Sequence, residues 1–482
     1  MRRARRKSRI TAKIASASTL YLISVKALIA NRELNDRLMT TSVKRAVPRY
    51  TSYPTAPHFV PSIGASTYAA WLDRLSEKDT VSLYFHVPFC ETICLYCGCH
   101  TKAIRRFEPV AAYVEQLIRE INLVADHTQR RRIVHLHWGG GTPSILGPER
   151  LRELVAQLGI RFDLTALREH AFELDPRYVT KELAGALADI GVTRASLGVQ
   201  DFSAHVQGAI GRIQPFSVVQ QTVEILRGVG INEINIDLMY GLPTQSVHDI
   251  RRTATLAHQL KPQRLAVFGY AHVPWFKRHQ RLLDESALPA PAVRLDQAAA
   301  AHETLTSLGY EPVGLDHYAS RDDSLAIAAR ARALRRNFQG YTTDNADALI
   351  GIGTSAIGRL PQGFVQNASD TASYSRAVLS GRFATVRGVT ISFADRIRGR
   401  IIEELMCNLV CNVEQVAEEI DYHGESFVQE FEALLPFVED GFVRIDGKCI
   451  TVDESGRPYL RLIAATFDNY LANSHAQHSV AV

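Results

Sequence analysis

The 482-residue chain is poor in cysteine, holding seven that are unevenly spaced. That excludes the disulfide framework of a small secreted domain and points to a reducing cytoplasm. It also lacks a clean membrane-length apolar run: Ile14 to Ala30 comes nearest, and Lys26 interrupts it. No short self-similar period is present, which excludes a solenoid. Acidic residues are missing from the start, where Arg2, Arg3, Arg5, Arg6, Lys7 and Arg9 all precede Glu33. That head carries much of the net charge of +5, so the body is close to neutral. A near-neutral body does not suit a nucleic-acid binder, and neither nucleic acid nor membrane is expected as a partner.

A basic head followed by an apolar run has the form of a signal or transit peptide. The reading adopted instead is a disordered tail, or translation that begins at Met39, with residues 1–47 as an N-terminal extension. The length exceeds what one core normally supports. A catalytic domain over residues 48–390, including a substrate-access segment, and a C-terminal helical domain over 391–482 are therefore expected. Hydrophobic content of 46% and charged content of 22% are ordinary for a globular enzyme.

Six β-rich runs stand out: Val81–His86, Ile133–Trp138, Ala171–Asp175, Ala195–Gln200, Glu233–Met239 and Leu265–Tyr270. Amphipathic stretches such as "VAAYVEQLIREINLVADH" and "FSVVQQTVEILRGVG" lie between them. Strand then helix, repeated about six times, predicts an α/β fold with a parallel sheet, a partial (β/α)6 TIM-like barrel. Most strands end in polar or glycine-rich sequence, as in "HWGGGTPS", "FELDP" and "NIDLMYGLP", and in a parallel barrel those ends converge on the mouth where ligands bind. After about Ile391 helical stretches precede a hairpin, Phe442–Ile445 and Cys449–Val452 around Asp446-Gly447, and a closing helix through "YLRLIAATFDNYLA". This small domain with a β-wing lacks a basic recognition helix, so it is expected to pack against the barrel.

Four of the cysteines crowd into "YFHVPFCETICLYCGCH", as Cys90, Cys94, Cys97 and Cys99. Four thiols could hold a structural zinc, but the terminal C-x-C would force two neighbouring side chains onto one tetrahedral ion. Three thiolates at x3 and x2 spacing can each hold one iron of a [4Fe–4S] cube and leave the fourth iron open. Gly139–Gly141 let a backbone approach a ligand closely. Glu173, Gln200, Arg212 and Asp237 share the predicted rim, where carboxylates can accept from ribose hydroxyls and a guanidinium can pair with a carboxylate. Cys407 and Cys411, four apart, are expected on one apolar helix face as core residues, and Cys449 carries no signal.

The C-x3-C-x2-C run, with an aromatic before its last cysteine and placed after the first strand, resembles the radical S-adenosylmethionine enzymes. "PRYTSYPTA", "CGCHT", "GVQDF", "IDLMYGLP", "GYAHVP", "GLDHYA", "RNFQGYTT" and "FDNYLA" carry the resemblance further, to the oxygen-independent coproporphyrinogen III oxidases. The resemblance implies a radical S-adenosylmethionine barrel in which Cys90, Cys94 and Cys97 ligate the cluster. Tyr84, Tyr96, Gly140, Gly141, Thr142, Glu173, Gln200, Arg212, Asp237, Ala271 and Ile357 would line two S-adenosylmethionine sites. Tyr84, His86 and Cys99 would be catalytic, Cys99 without ligating the cluster. The substrate implied is coproporphyrinogen III, whose carboxylates Arg49, Tyr50, Tyr53 and His317 are candidates to bind. The electron donor implied is a reduced flavodoxin or ferredoxin type, acting on a monomer.

Two departures and two rivals stand beside this. The first 38 or so residues match nothing in the family pattern, and Trp275 stands where a smaller residue is expected. A haem chaperone of the same superfamily would bind haem without decarboxylating it, but that branch lacks Cys99, "PRYTSYPT" and "RNFQGYT". A zinc-stabilised interaction protein would have no catalysis at all.

Overall fold

The computed structural model describes residues 47–129, 131–424 and 426–471. The head, Met39 and the Ile14–Ala30 run lie outside these residues. Six strands form where the apolar runs are: β1 (Val81–Val87), β2 (Ile133–Gly140), β3 (Glu169–Leu174), β4 (Arg194–Gln200), β5 (Glu233–Tyr240) and β6 (Arg264–Gly269). Each pairs in parallel with the next. Covering helices bury the outer face of the sheet, so in β5 the buried Ile234, Ile236 and Leu238 alternate with the partly exposed Asn235 and Asp237. In β1, six of seven residues are buried.

The covering helices are α1 (Glu108–Thr128), α2 (Pro148–Arg161), α3 (Lys181–Asp189), α4 (Phe216–Gly228), α5 (Val247–Gln259) and α6 (Pro291–Ser307). On α1, Val110, Val114, Leu117, Ile121 and Val124 recur at three- and four-residue spacing and are buried. Pro109 opens this helix, where its missing N–H costs nothing. In α5 a reciprocal cap between Ser246 and Asp249 sets the first turn. Trp138 of β2 stacks on Phe85 of β1, ring centroids 4.1 Å apart, inside the main core.

The six-stranded prediction is extended at both edges. Strands β7 (Glu311–Val313) and β8 (His317–Ala319) add antiparallel beyond β6. On the far side β9 (Ala348–Ile352) runs parallel to β1, and β10 (Ile357–Leu360), β11 (Gly363–Asn367) and β12 (Thr385–Thr390) follow antiparallel. The result is one open twelve-stranded sheet, so the barrel is incomplete.

The C-terminal unit has its own apolar cluster. Helix α7 (Phe393–Asn408) is capped by Ser392 and Asp395 and ends at Leu409, which is left-handed at φ 57°. Cys411 therefore leaves the helix and sits on β13 (Val410–Asn412), which corrects its placement beside Cys407 on one helical face. Both thiols are buried as expected, but in different clusters. The hairpin forms as β14 (Val443–Asp446) and β15 (Cys449–Val452), with β13 completing a three-stranded sheet. The closing helix is shorter than expected, Leu460–Ala464 followed by a tight turn over Ala465–Phe467. Val47, Tyr50 and Tyr53 pack into this cluster beside Ile401 and Phe467, although they precede the barrel in sequence.

Candidate active site

A cavity of about 680 Å³ fills the inside of the sheet. Tyr84 and His86 on β1, Glu173 on β3 and Asp237 on β5 line it, with Cys99 from the cysteine loop and Ile357 from β10. Its floor is ionic: Arg194 contacts Glu169 at 3.0 Å and Arg264 contacts Asp323 at 2.7 Å. Burial pushes the Glu169 carboxyl up, but Arg264 and Arg194 outweigh it and hold the group down at about 2.

Higher on the wall the hydrogen bonds define protonation. His86 Nε2 lies 2.9 Å from the His100 carbonyl, which can only accept, so Nε2 carries the proton. Nδ1 is then an acceptor for the Tyr84 hydroxyl at 3.0 Å. Burial lowers the His86 pKa to about 4, and the ring is neutral. Asp237 accepts from Ser196 Oγ at 3.0 Å and from Asn235 Nδ2 at 2.8 Å. Burial, and next the charge of Glu173, raise its pKa to about 6.

The glycine run is needed for packing. A Cβ on Gly139 would fall 2.7 Å from Glu173 Oε1, and one on Gly141 only 2.4 Å from the Phe89 carbonyl. Gly140 adopts φ +108°, beside the His86 ring, and its N–H donates to Glu173 Oε2 at 3.2 Å. His137 Nε2 shares the other oxygen at 3.1 Å.

Each of the three spaced thiols meets hydrogen-bonding groups aimed at sulfur. Cys90 Sγ lies 3.1 Å from Thr101 Oγ1 and receives Thr142 Oγ1 at 3.4 Å. Cys94 Sγ receives Arg212 Nη1 at 3.4 Å and Arg177 Nη2 at 3.7 Å. Cys97 Sγ receives the Cys99 N–H at 3.4 Å; the contacts with Cys99, foremost the side-chain one, bring its pKa down to about 7 against the effect of burial. Donors at all three sulfurs suit thiolates and therefore fit an iron–sulfur cluster. Among the described residues no three His, Cys, Asp or Glu side chains are grouped around one point in this structure.

The segment after β6 clasps this loop through its backbone. Gln280 donates to the Tyr96 carbonyl at 2.8 Å, His279 Nε2 meets that of Cys97 at 2.7 Å, and Lys277 donates to that of Cys99 at 2.8 Å. Gln280 also reaches the Ala271 carbonyl at 3.3 Å.

The predicted residues therefore fall into two groups. Tyr84, His86, Cys99, Glu173, Asp237, Ile357 and His317 share the chamber. Cys90, Cys94, Cys97, Tyr96, Gly140, Gly141, Thr142, Gln200, Arg212 and Ala271 stand outside its lining, around the cysteine loop and the strand ends. Tyr50 and Tyr53 stand apart from the chamber and line a groove beside it. Their hydroxyls are engaged by Asp468 and by the Asn469 N–H, and neither lines the chamber. Trp275 is half exposed and lines neither the chamber nor the groove beside it. Sequence reasoning missed Asp175, which takes Arg212 at 2.9 Å and Arg177 at 2.6 Å, and it missed the clasp. Asp175 stood inside the quoted "FELDP", and only its strand-end position could have flagged it.

An incomplete parallel barrel with three thiols at its mouth defines a radical S-adenosylmethionine protein, and the model of the Radical SAM superfamily matches residues 84–257. The chain is 46% identical to the oxygen-independent coproporphyrinogen III oxidase of Bradyrhizobium diazoefficiens, covering 90% of this chain and 97% of that one. It is 38% identical to the enzyme of that name from Pseudomonas aeruginosa, covering 89% and 95%. The solved coproporphyrinogen III oxidase of Escherichia coli, described as a radical SAM enzyme, superposes with a TM-score of 0.83 at 34% identity, covering 88% of this chain and all of that one. The chain belongs to the family of oxygen-independent coproporphyrinogen III oxidases.

Proposed function

We propose that the protein oxidatively decarboxylates two propionate side chains of coproporphyrinogen III to vinyl groups without dioxygen, giving protoporphyrinogen IX for haem synthesis. The observation that carries this is the set of three donor-supplied thiols at the mouth of a polar chamber. Family membership over nearly the whole chain supports it. When bound, a [4Fe–4S] cluster and S-adenosylmethionine supply a 5′-deoxyadenosyl radical. Each propionate would give a β-carbon hydrogen atom to that radical, release carbon dioxide to leave the vinyl group, and pass one electron to an external one-electron acceptor.

The chain's own residues hold and orient the reactants. Cys90, Cys94 and Cys97 are the cluster ligands. Glu173 and Asp237 accept from ribose hydroxyls in this assignment, and the Gly139–Gly141 backbone lies close to the bound cosubstrate. Arg212 Nε, buried and without a partner among the described residues, is a donor for a cosubstrate carboxylate. Tyr84 and His86 hold one wall, and Cys99 faces the chamber. Two S-adenosylmethionine molecules match the two decarboxylations. A reduced flavodoxin or ferredoxin type is the donor, and the protein acts as a cytoplasmic monomer. Among the described residues no helix is long and apolar enough to cross a membrane. The haem-chaperone reading draws no support from relatives named as oxidases.

Anaerobic incubation of the reconstituted protein with coproporphyrinogen III, S-adenosylmethionine and a reductant tests this. Protoporphyrinogen and 5′-deoxyadenosine are expected together. Formation of 5′-deoxyadenosine with no vinyl product would overturn the substrate, and formation of neither would overturn the reaction.

A further inference from the structure

Behind the chamber wall lies a second cavity of about 250 Å³. Three parts of the fold meet there. Arg49 comes from the N-terminal segment, Arg294 from α6, and Arg457 and Arg461 from the C-terminal unit. Arg336 borders both this cavity and a larger groove, and that groove shares Phe338, Thr342, Asp344 and Leu349 with the chamber.

Guanidinium groups outnumber their counter-ions here. Arg457 is paired with Glu454 at 2.7 Å. Glu303 turns to Arg251, and Asp316, hydrogen-bonded to His317 at 2.7 Å, is the one carboxylate among the described residues whose charge acts on Arg49 and Arg336. Arg49, Arg294 and Arg336 take part in no ion pair among the described residues. Each instead donates to a backbone carbonyl, of Gly269 at 3.0 Å, Tyr270 at 2.8 Å and Arg49 at 3.2 Å respectively. Arg294 Nε and both Nε and Nη1 of Arg336 are buried with no acceptor. Arg49 is exposed at the edge of the cavity, while Arg294 and Arg336 are half-buried. Burial depresses the pKa of Arg294, and at Arg336 burial is outweighed by Tyr341 and Asp316, which raise it. Such a cluster is costly unless an anion completes it.

We propose that this pocket binds a carboxylate, and that its ligand is a propionate arm of the porphyrinogen that is not reacting, reached from the groove past Arg336. The inference rests on the substrate reading above. The fork of a guanidinium matches a carboxylate edge. Val267, Ala298, Ala301, Leu315 and Pro458 also line the cavity, and their apolar surface suits the methylenes of such an arm better than an inorganic anion. A macrocycle is too large to enter.

The probe is coproporphyrin III, the oxidised and unreactive tetracarboxylate, with binding to the full chain followed by its fluorescence. Arg294→Gln and Arg336→Gln should each weaken binding by about tenfold, the loss of one charge-assisted contact. Arg294→Lys should recover only part of it, because a point charge replaces a fork. Equal binding by wild type and variants would overturn this proposal alone. No binding of coproporphyrin by wild type would overturn the proposal, while vinyl product in the anaerobic turnover assay would still uphold the substrate reading. Unchanged porphyrin binding, together with thermal stabilisation by citrate or inorganic phosphate that is lost in Arg294→Gln, would assign the pocket to a free anion and overturn the propionate.

Discussion

Arg212 and Cys94 lie 118 positions apart in sequence and meet at the barrel mouth, where Arg212 Nη1 is 3.4 Å from the Cys94 sulfur. The same nitrogen donates to Asp175 at 2.9 Å, and Nη2 donates to the Gly198 carbonyl at 2.5 Å. One planar group thus ties the cysteine loop to the ends of β3 and β4. Arg212→Lys keeps the charge but cannot serve all these acceptors at once. The expected result is a rise in KM for S-adenosylmethionine of tenfold or more, with a smaller fall in kcat, read from 5′-deoxyadenosine formation. A fall in kcat alone would show that Arg212 acts only on the loop.

The four clustered cysteines should divide three to one. Cys90→Ser, Cys94→Ser and Cys97→Ser are each expected to abolish the visible absorbance of the cluster and all cleavage of S-adenosylmethionine. Cys99→Ser should retain iron and absorbance but turn over slowly, since Cys99 faces the chamber. Iron and sulfide analysis of anaerobically purified variants checks this. Loss of the cluster in Cys99→Ser would mean that a ligand has been misassigned.

Much of this arrangement was legible because local pattern and tertiary role coincide. The runs that became β1 to β6 show because helices bury their outward-facing residues, while the inward-facing ones line the polar chamber. The edge strands β7 to β12 are only three to six residues long, too short for periodicity to show, so the sheet appeared smaller than it is. The anchoring of Tyr50 and Tyr53 by Asp468 and Asn469, more than 400 positions away, was not legible, because no local pattern links such distant segments. Cys411 was misplaced because nothing in "MCNLVCN" marks Leu409 as the left-handed residue that ends α7. Lys277 and Gln280 were missed because their partners are distant in sequence, and Asp175 because a pair with Arg177 two positions on reads as an ordinary turn contact.

Asp237 gives the site a pH dependence of known sign. Its folded pKa of about 6 lies above the ordinary 3.8, through burial first and Glu173 second. Between those values the unfolded chain is ionised while the folded one is still protonated, so this group's contribution to stability falls as pH rises toward 6. Binding runs the other way, because only the ionised carboxylate accepts from both hydroxyls of a ribose. Affinity for S-adenosylmethionine should rise up to about tenfold per pH unit below 6 and level off above it. Equilibrium dialysis between pH 5 and 8 measures this. Asp237→Asn should bind weakly with a flat profile, and an unchanged slope in that variant would remove Asp237 from the cosubstrate site.

Gln280 is fully buried, and its side chain satisfies three backbone groups at once. It donates to the Tyr96 and Ala271 carbonyls and accepts from the Val273 N–H at 2.6 Å. Gln280→Ala should therefore cost about 1–3 kcal/mol for each group left unpaired. The loss falls on the cysteine loop more than on the barrel, because Tyr96 lies between Cys94 and Cys97. The expected outcome is lower iron occupancy after reconstitution and faster proteolysis within residues 90–100, with the main unfolding transition of the barrel nearly retained. Gln280→Glu keeps the acceptor for Val273 but sets a carboxylate against two carbonyls, so it should be no better than Ala. If Gln280→Glu loaded iron as wild type does, the clasp would not be what holds the loop in place.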